Sequence, residues 1–401
     1  MDTNAWYALL APTFALAIGL ELLAARRAGR RIHVLGDTLA NLACGLGQVL
    51  LGVFTGAFFL ALYDGFAERF ALVRWEPGAI TPWVLAFVLT DLCYYAFHRA
   101  SHRVALLWAI HSVHHQSEEM NLSVALRQTW FSDFTALPFF WPLPLLGIPR
   151  DAFFVAVATL SLYEALQHTE VLSGARLWGL VLNTPATHRL HHARDARYRD
   201  RNYASTLVIW DRLFGTFVEE THPPTYGTTT PHRSWSPLWA QLAPLVELAR
   251  RLQRAPHVVD RARILLMPPE WRAPHEARTD LPLAPRWEPP APPRGIALYA
   301  LAHSTVATLA GLLVIATTER LGMLPSGLLA LVVVWSTASS AALIERRAWA
   351  RGAELARLIA IAVLAAALAP LAVTLAVALL TLTSALALMT VAPARPLARV
   401  P

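Results

Sequence analysis

Long apolar segments recur along this chain, and short polar stretches separate them. A helix needs about 20 mostly apolar residues to cross a bilayer. We predict membrane-spanning helices near residues 5–25, 38–62, 81–97, 296–317, 323–344 and 355–391. Pro370 lies inside the last segment, which predicts either two short helices or one kinked helix. The second segment carries four small residues that allow helices to pack closely, namely Gly45, Gly47, Gly52 and Gly56.

Two shorter apolar arms, 134–148 and 151–167, lie in the middle of the chain and are broken by several prolines. Each arm is short for a full crossing, so we expect a re-entrant or tilted hairpin. The following residues, 168–294, are mostly polar or interfacial. Within them, 222–294 is rich in proline, tryptophan and arginine, as expected of a chain that lies on a membrane surface.

The arginines set the expected orientation. Basic clusters follow the first apolar segment and separate the last two, at Arg26, Arg27, Arg30 and Arg31, and at Arg346, Arg347 and Arg351. Such loops stay in the cytoplasm as a rule, so we expect the N-terminus outside and residues 98–133 and 168–294 inside. We predict an all-α, multi-pass integral membrane helical bundle with a cytosolic, histidine-rich metal-binding cap.

Composition supports a membrane protein and narrows its source. Of the 401 residues, 55% are hydrophobic and only 15% are charged, against about 25% in soluble domains. All 34 basic residues are arginine, which we take as a sign of a GC-rich bacterial genome and hence of the bacterial inner membrane. The net charge of +7 comes from arginines that flank apolar segments, so we expect no nucleic-acid partner. Cys44 and Cys93 have no metal-type spacing and predict no disulfide framework.

Eight of the 15 histidines fall in three short clusters with the strings HRASH, HSVHH and HRLHH. Residues three or four apart share one face of a helix, so each HxxHH string can bring up to three imidazoles together. Neutral imidazole is a good ligand for iron, zinc, copper and nickel. Eight ligands exceed the three or four of one zinc site, so the number fits two metal ions with an open position.

The longer strings around these clusters resemble a known family. They are DLCYYAFHRASH at 91–102, LWAIHSVHHQSEEMNLSVALRQTW at 107–130, QHTE at 167–170, NTPATHRLHHARD at 183–195 and NYASTLVIWDRLFGTFVEE at 202–220. Together they are similar to the fatty acid hydroxylase and sterol desaturase superfamily, in particular to its alkylglycerol monooxygenase-like branch. The resemblance covers about residues 35–275. One departure is Thr187, where many relatives have a histidine, so a contact around the metal ligands is expected to differ.

The resemblance implies a di-iron centre that uses dioxygen, together with a separate electron donor and a lipid substrate. The implied metal ligands are His98, His102, His111, His114, His115, His168, His188, His191 and His192. The apolar segments and the resemblance together predict three units: an N-terminal transmembrane anchor (1–31), a catalytic domain of membrane spans and histidine clusters (32–294) and C-terminal transmembrane helices (295–401). The activity expected is hydroxylation of a lipid C–H bond, including cleavage of alkylglycerol ethers.

Several polar residues are candidates for supporting roles. Metal-bound imidazoles usually donate their second N–H to a carboxylate or carbonyl. Asp91 lies seven residues before His98, on the same helix face, and Asp211 and Asp195 have weaker claims of the same kind. A charge at a helix end, paired with arginine, is the alternative for Asp91. The resemblance further suggests that an external reductant, with tetrahydrobiopterin as one candidate, binds at Glu118, Asn121, Arg127 and Gln128, which are otherwise solvated loop residues.

The histidine pattern leaves several functions open. A fatty-acid or sterol hydroxylase or desaturase would carry the same clusters, because the lipid substrate is chosen by the shape of its tunnel. A family member that binds metal without catalysis is a second alternative. A bis-histidine haem carrier would place its ligands on separate membrane helices, and a zinc hydrolase needs only three ligands. The oligomeric state is not predicted by any feature of the sequence.

Overall fold

The computed structural model describes residues 3–174, 177–274, 276 and 284–390, with side chains from residue 12 onward. The outermost residues of the predicted N-terminal anchor and C-terminal unit lie outside this description. Within the described residues the regular structure is helical, and β-type pairing is limited to two isolated bridges, Leu182 with Leu207 and Ala193 with Tyr226. The all-α prediction is confirmed.

The described helices follow the apolar pattern closely. The α-helices are α1 (Thr3–Arg27), α2 (Leu35–Phe70), α3 (Thr81–Arg103), α4 (Ala105–His111), α5 (Ser132–Phe140), α6 (Pro142–Leu145), α7 (Arg150–Ala165), α8 (Pro185–His191), α9 (Ile209–Leu213), α10 (Pro237–Arg254), α11 (Val258–Leu266), α12 (Arg294–Leu321), α13 (Met323–Ile344), α14 (Ala350–Leu368) and α15 (Leu371–Thr390). Two short 3₁₀ helices lie at Leu122–Leu126 and Trp178–Leu180. Helices α14 and α15 are separate because Pro370 lacks a backbone N–H.

Among the residues that the structure describes, four helices are long and apolar enough to cross a membrane, namely α2, α12, α13 and α15. The chain is therefore a multi-pass membrane protein. The predicted span at 81–97 forms most of α3, which is not among these four helices and carries Asp91 in its middle. The predicted span at 5–25 lies within α1.

The central hairpin has the short arms that its prolines predict. Helices α5 and α7 have 9 and 16 residues, and α7 packs along α3. The turn between them needs a glycine, because Gly147 has φ +68° and a Cβ there would lie 2.0 Å from the carbonyl oxygen of Val73. The Tyr63 hydroxyl of α2 donates to the Ile148 carbonyl at 2.9 Å and fixes this turn against α2.

Helix α2 packs against α12 and α13 on one side and against the loop that follows the second histidine cluster on the other. A Cβ at Gly45 would lie 2.8 Å from the Leu126 carbonyl, and one at Gly47 would lie 2.4 Å from the Trp130 indole. Gly52 and Gly56 have no such neighbour within 4 Å. Close packing therefore depends on only two of the four predicted glycines.

The C-terminal helices carry buried polar links. Glu354 of α14 pairs with Arg357, and it accepts hydrogen bonds from Tyr299 of α12 at 2.6 Å and Ser339 of α13 at 2.5 Å. A second buried acid, Glu345, accepts a hydrogen bond from the Ser234 hydroxyl at 2.8 Å and one from a neighbouring backbone N–H. These links fix the C-terminal bundle internally and to the polar region that carries the site.

Candidate metal centre

Four short segments position nine histidines around one point. His98 and His102 occupy the last turns of α3, and His111 ends α4, with the turn after it carrying His114 and His115. His168 follows the end of α7. The third cluster, His188, His191 and His192, lies on and just after α8. All nine sequence-predicted candidates are therefore brought together.

Helix α8 begins where a capping pair forms. Thr184 and Thr187 exchange side-chain-to-backbone hydrogen bonds, and the Thr187 hydroxyl also bonds the side chain of Asn183. Thr187 is the position near which we expected a contact around the metal ligands to differ. In this chain it builds the first turn of the helix that presents the third cluster.

The imidazoles form two groups whose ring nitrogens lie within 4.8 Å of one another. The first group contains His98, His102, His111, His115 and His191, and the second contains His114, His168, His188 and His192. Each HxxHH string is thus divided between the two groups, whereas the sequence allowed three imidazoles of one string to converge. In both strings the histidines at i and i+4 share a group, and the histidine at i+3 belongs to the other group.

Backbone carbonyls fix which nitrogen of four rings carries the proton. A carbonyl can only accept, so the Nδ1–H groups donate in the pairs His98–Tyr203 (2.7 Å), His114–Arg127 (3.3 Å), His168–Glu164 (2.9 Å) and His191–Arg201 (3.0 Å). In the neutral rings Nε2 is then the unprotonated nitrogen. For His98 and His191 that Nε2 is buried and has no hydrogen-bond partner.

The contacts between rings provide a test of whether a metal ion fits. The Nε2 atoms of His114 and His168 lie 3.2 Å apart, yet both are unprotonated acceptors by the preceding argument. Two lone pairs at this distance repel unless a cation lies between them. Metal–nitrogen bonds of about 2.1 Å place adjacent ligand nitrogens roughly 3.0 to 3.4 Å apart. The Nε2–Nε2 contacts of 3.0–3.2 Å within the two groups agree with this spacing.

Burial keeps these rings neutral. None of the nine is more than 8% exposed. Burial, with smaller contributions from neighbouring imidazoles, lowers the pKa of His111, His115, His168, His188, His191 and His192 well below the usual range. Burial also lowers the pKa of His114 to about 4. A neutral imidazole is the form that binds a metal.

The predicted supporting carboxylates act mainly on the backbone. Asp91 accepts hydrogen bonds from the backbone N–H groups of Thr206 and Leu207, both at 3.0 Å, and from the Trp210 indole at 2.8 Å. Seven residues of helix separate Asp91 from His98 by about 10 Å, so sharing a face does not bring them into contact. Asp195 accepts from the Thr225 backbone N–H at 2.6 Å.

Asp211 is connected to the ligand candidate His98 through the backbone of Tyr203 and Ala204. It accepts hydrogen bonds from the backbone N–H groups of Tyr203 at 2.9 Å and Ala204 at 2.8 Å. The Tyr203 carbonyl in turn accepts from His98. Sequence reasoning missed Asp200, whose carboxylate lies 3.4 Å from Nδ1 of His102. Its left-handed backbone, φ 58°, is a feature that the sequence does not signal.

The four residues predicted to bind a reductant have different surroundings. Arg127 is 1% exposed and donates to the Val113 carbonyl and to two buried side-chain amides. Asn121 donates to the Ile32 carbonyl and caps the following 3₁₀ helix. The Gln128 side chain donates to the Ala125 carbonyl at 2.8 Å. Glu118, by contrast, lines a cavity and has one buried oxygen with no hydrogen-bond partner.

Part of this chain is similar to a known protein family and to several known proteins. Residues 83–216, which contain all nine histidines, match the fatty acid hydroxylase family model. The chain is 34% identical over 248 residues to alkylglycerol monooxygenase of Xenopus tropicalis, covering 62% of this chain and 55% of that protein. It is 35% identical over 237 residues to the Homo sapiens protein of the same name, covering 59% and 53%.

A more distant relative is ornithine lipid hydroxylase OlsE of Rhizobium tropici, 30% identical over 141 residues, which are 35% of this chain and 43% of that protein. The chain spans about half the length of the curated relatives it matches. No solved structure matches it.

Proposed function

We propose that this chain is a membrane-bound, non-haem di-iron monooxygenase that hydroxylates a lipid C–H bond. Its residues 83–216 match the fatty acid hydroxylase family model. One observation carries the proposal. Within each of two adjoining groups, buried, neutral imidazoles bring their Nε2 atoms to distances that suit one shared metal ion. The names of the relatives point to lipids as substrates.

The two groups of histidines and the backbone around them would have different roles. The group around His98 would hold one iron ion and the group around His188 the other. Iron held there supplies the redox chemistry by which dioxygen oxidises an unactivated C–H bond. The carbonyls of Tyr203, Arg201, Arg127 and Glu164 keep the ring protons on Nδ1, and burial excludes water from the ligands.

An ether lipid is the preferred substrate in this proposal. Insertion of one oxygen atom at the carbon beside the ether oxygen, with the other atom leaving as water, consumes two electrons and two protons. The resulting hemiacetal separates into an aldehyde and an alcohol. The electrons come from a separate donor, and a reduced pterin such as tetrahydrobiopterin is the candidate that the resemblance suggests.

The finer organisation belongs to the same proposal. We take residues 1–31 as an anchor, 32–294 as the catalytic domain and 295–401 as additional transmembrane helices. The histidines would face the cytoplasm of a bacterial cell, because the arginine-rich loops flank their side of the predicted spans. Accessibility labelling of cysteines introduced into the 26–31 loop would test this orientation.

The function is tested with membranes that contain the full chain. Wild type, the double variant His114→Ala and His191→Ala, and the matched control His222→Ala would be supplied with alkylglycerols, fatty acids and sterols, ¹⁸O₂ and a reductant. We expect labelled fatty aldehyde from the ether lipid with wild type and with the control, and none with the double variant. A labelled alcohol formed from a fatty acid or a sterol would show that this lipid, and not the ether lipid, is the substrate. Absence of any histidine-dependent product with every reductant would contradict the proposal.

A further inference from the structure

A polar cavity of about 210 Å³ lies beside the histidines. Three charged residues of its wall each follow a histidine closely in sequence: Glu118 after His115, Glu170 after His168 and Arg194 after His192. Two or three residues of chain span at most about 11 Å, so the cavity adjoins the metal centre. Its volume is below the 300–1,000 Å³ typical of sites for drug-sized ligands. It therefore suits a small polar group and not an alkyl chain.

Most charged groups in the wall already have partners. Glu170 accepts from the Tyr226 hydroxyl and from Arg30, both at 2.6 Å. Arg286 pairs with Glu119 outside the cavity. Glu118 and Arg194 form an ion pair with each other at 3.9 Å, and both keep buried atoms that make no hydrogen bond.

Arg194 and Glu118 leave donors and an acceptor unused. The Arg194 side chain is only 4% exposed, yet its Nε and Nη1 atoms have no hydrogen-bond partner. The Glu118 Oε2 atom accepts from the Trp287 backbone N–H at 2.8 Å, but the buried Oε1 has no partner. Nη1 and Oε1 are 3.9 Å apart, beyond hydrogen-bond distance. Buried polar groups of this kind are costly unless a ligand or water satisfies them.

The unused groups define the ligand's chemistry. An anion would satisfy Arg194 but would be repelled by Glu118, and a cation would have the opposite problem. A neutral group with several hydroxyls can donate to Oε1 and accept from the guanidinium at the same time. The position of the cavity relative to the membrane is indicated by Glu170, which pairs with Arg30, just beyond the basic last turn of α1. Arginines at the end of a predicted span lie at the level of lipid head groups.

We propose that this cavity binds the hydroxylated, uncharged head group of the lipid substrate and thereby places the adjacent carbon at the histidines. The inference rests on the proposed function, because it assumes a lipid substrate. Arg194 and Glu118 are its specificity-determining residues, and the head group is held by hydrogen bonds to both.

Anaerobic binding to the full-length protein in nanodiscs tests the assignment without turnover. The probes are a monoalkylglycerol and the same lipid with both hydroxyls methylated. We expect wild type to bind the free head group at least tenfold more tightly, since one hydrogen bond to a buried charge is worth about that much. Arg194→Gln and Glu118→Gln should each reduce this preference to below about threefold, and leave binding of the methylated lipid unchanged. The exposed Arg197→Gln should retain the preference.

Other outcomes would overturn the assignment. If wild type binds both lipids equally, the cavity holds only solvent. If Arg194→Gln weakens binding of a reduced pterin and leaves the head-group preference intact, the cavity is a donor site. A head-group preference without any oxygen-dependent product would support the cavity assignment and contradict the monooxygenase proposal. An oxygen-dependent product without a head-group preference would support the monooxygenase proposal and contradict the cavity assignment.

Discussion

The substitution Asp211→Asn tests whether the Asp211 carboxylate holds the backbone that orients His98. The Asp211 carboxylate is 1% exposed, and its Oδ1 accepts from the Tyr203 backbone N–H and from the Thr216 hydroxyl. Its Oδ2 accepts from the Ala204 backbone N–H. Because the Tyr203 carbonyl accepts from His98, the carboxylate holds the peptide that orients this ring.

The magnitude follows from the hydrogen bonds. Asparagine has one acceptor oxygen in place of two, so either amide orientation sets an NH₂ group against a backbone N–H. The variant loses a hydrogen bond to a charged group, worth about 1.5–3 kcal/mol, and leaves a buried donor unsatisfied at about 1–3 kcal/mol. These costs overlap, so we expect a loss of about 3 kcal/mol, roughly 100-fold in the folding equilibrium. Loss of a group that orients a metal ligand typically weakens metal binding about 10- to 100-fold.

Two measurements on purified protein check this prediction: denaturant unfolding of the metal-free form and competition for iron with a chelator. Asp64→Asn is the matched control, because Asp64 makes an ion pair with Arg150 in which both side chains are more than 40% exposed. Such pairs contribute about 0–1 kcal/mol. If Asp211→Asn behaves like the control in both measurements, the Asp211 carboxylate does not support His98 in this way.

Three further predictions follow from the structure. Lowering the pH below about 6.5 should destabilise the metal-free protein and release bound metal. The histidines of the unfolded chain bind protons in this range, whereas the buried histidines of the folded chain, with their lowered pKa values, do not. A free energy of unfolding that stays constant down to pH 4 would contradict this prediction. Gly47→Ala should cost about 1–3 kcal/mol in thermal unfolding, since its Cβ would overlap the Trp130 indole, whereas Gly52→Ala on the same helix has open space and should be neutral. Arg127→Gln should destabilise by at least about 2 kcal/mol, because it removes the guanidinium from three buried acceptors; an unchanged unfolding midpoint with weaker reductant binding would instead support a donor role.

Sequence periodicity was sufficient where structure depends on local spacing. The apolar segments predicted α2, α12 and α13, and the i, i+4 spacing placed pairs such as His188 and His192 in one group. Residue type and cluster spacing therefore identified eight of the nine members of the candidate site, and the family resemblance added His168.

Features that depend on long-range contacts were not predictable in this way. The division of the histidines into two groups depends on how α3, α4 and α8 pack, and no spacing within one string encodes it. The contact of Asp200 with His102 joins residues 98 positions apart and requires a left-handed residue. For Asp91, periodicity gave the correct face but not the distance along the axis, which decides hydrogen bonding.

The number of metal ions bound per chain shows whether the nine histidines form a two-metal centre. Purified full-length protein, reconstituted with ferrous iron without oxygen, would be analysed by elemental analysis and Mössbauer spectroscopy. We expect about two iron ions per chain. His188→Ala and His191→Ala, which alter different groups, should each reduce this number to about one, and His222→Ala should leave it unchanged. One ion or none in wild type, or a content that these substitutions do not change, would contradict the two-metal centre.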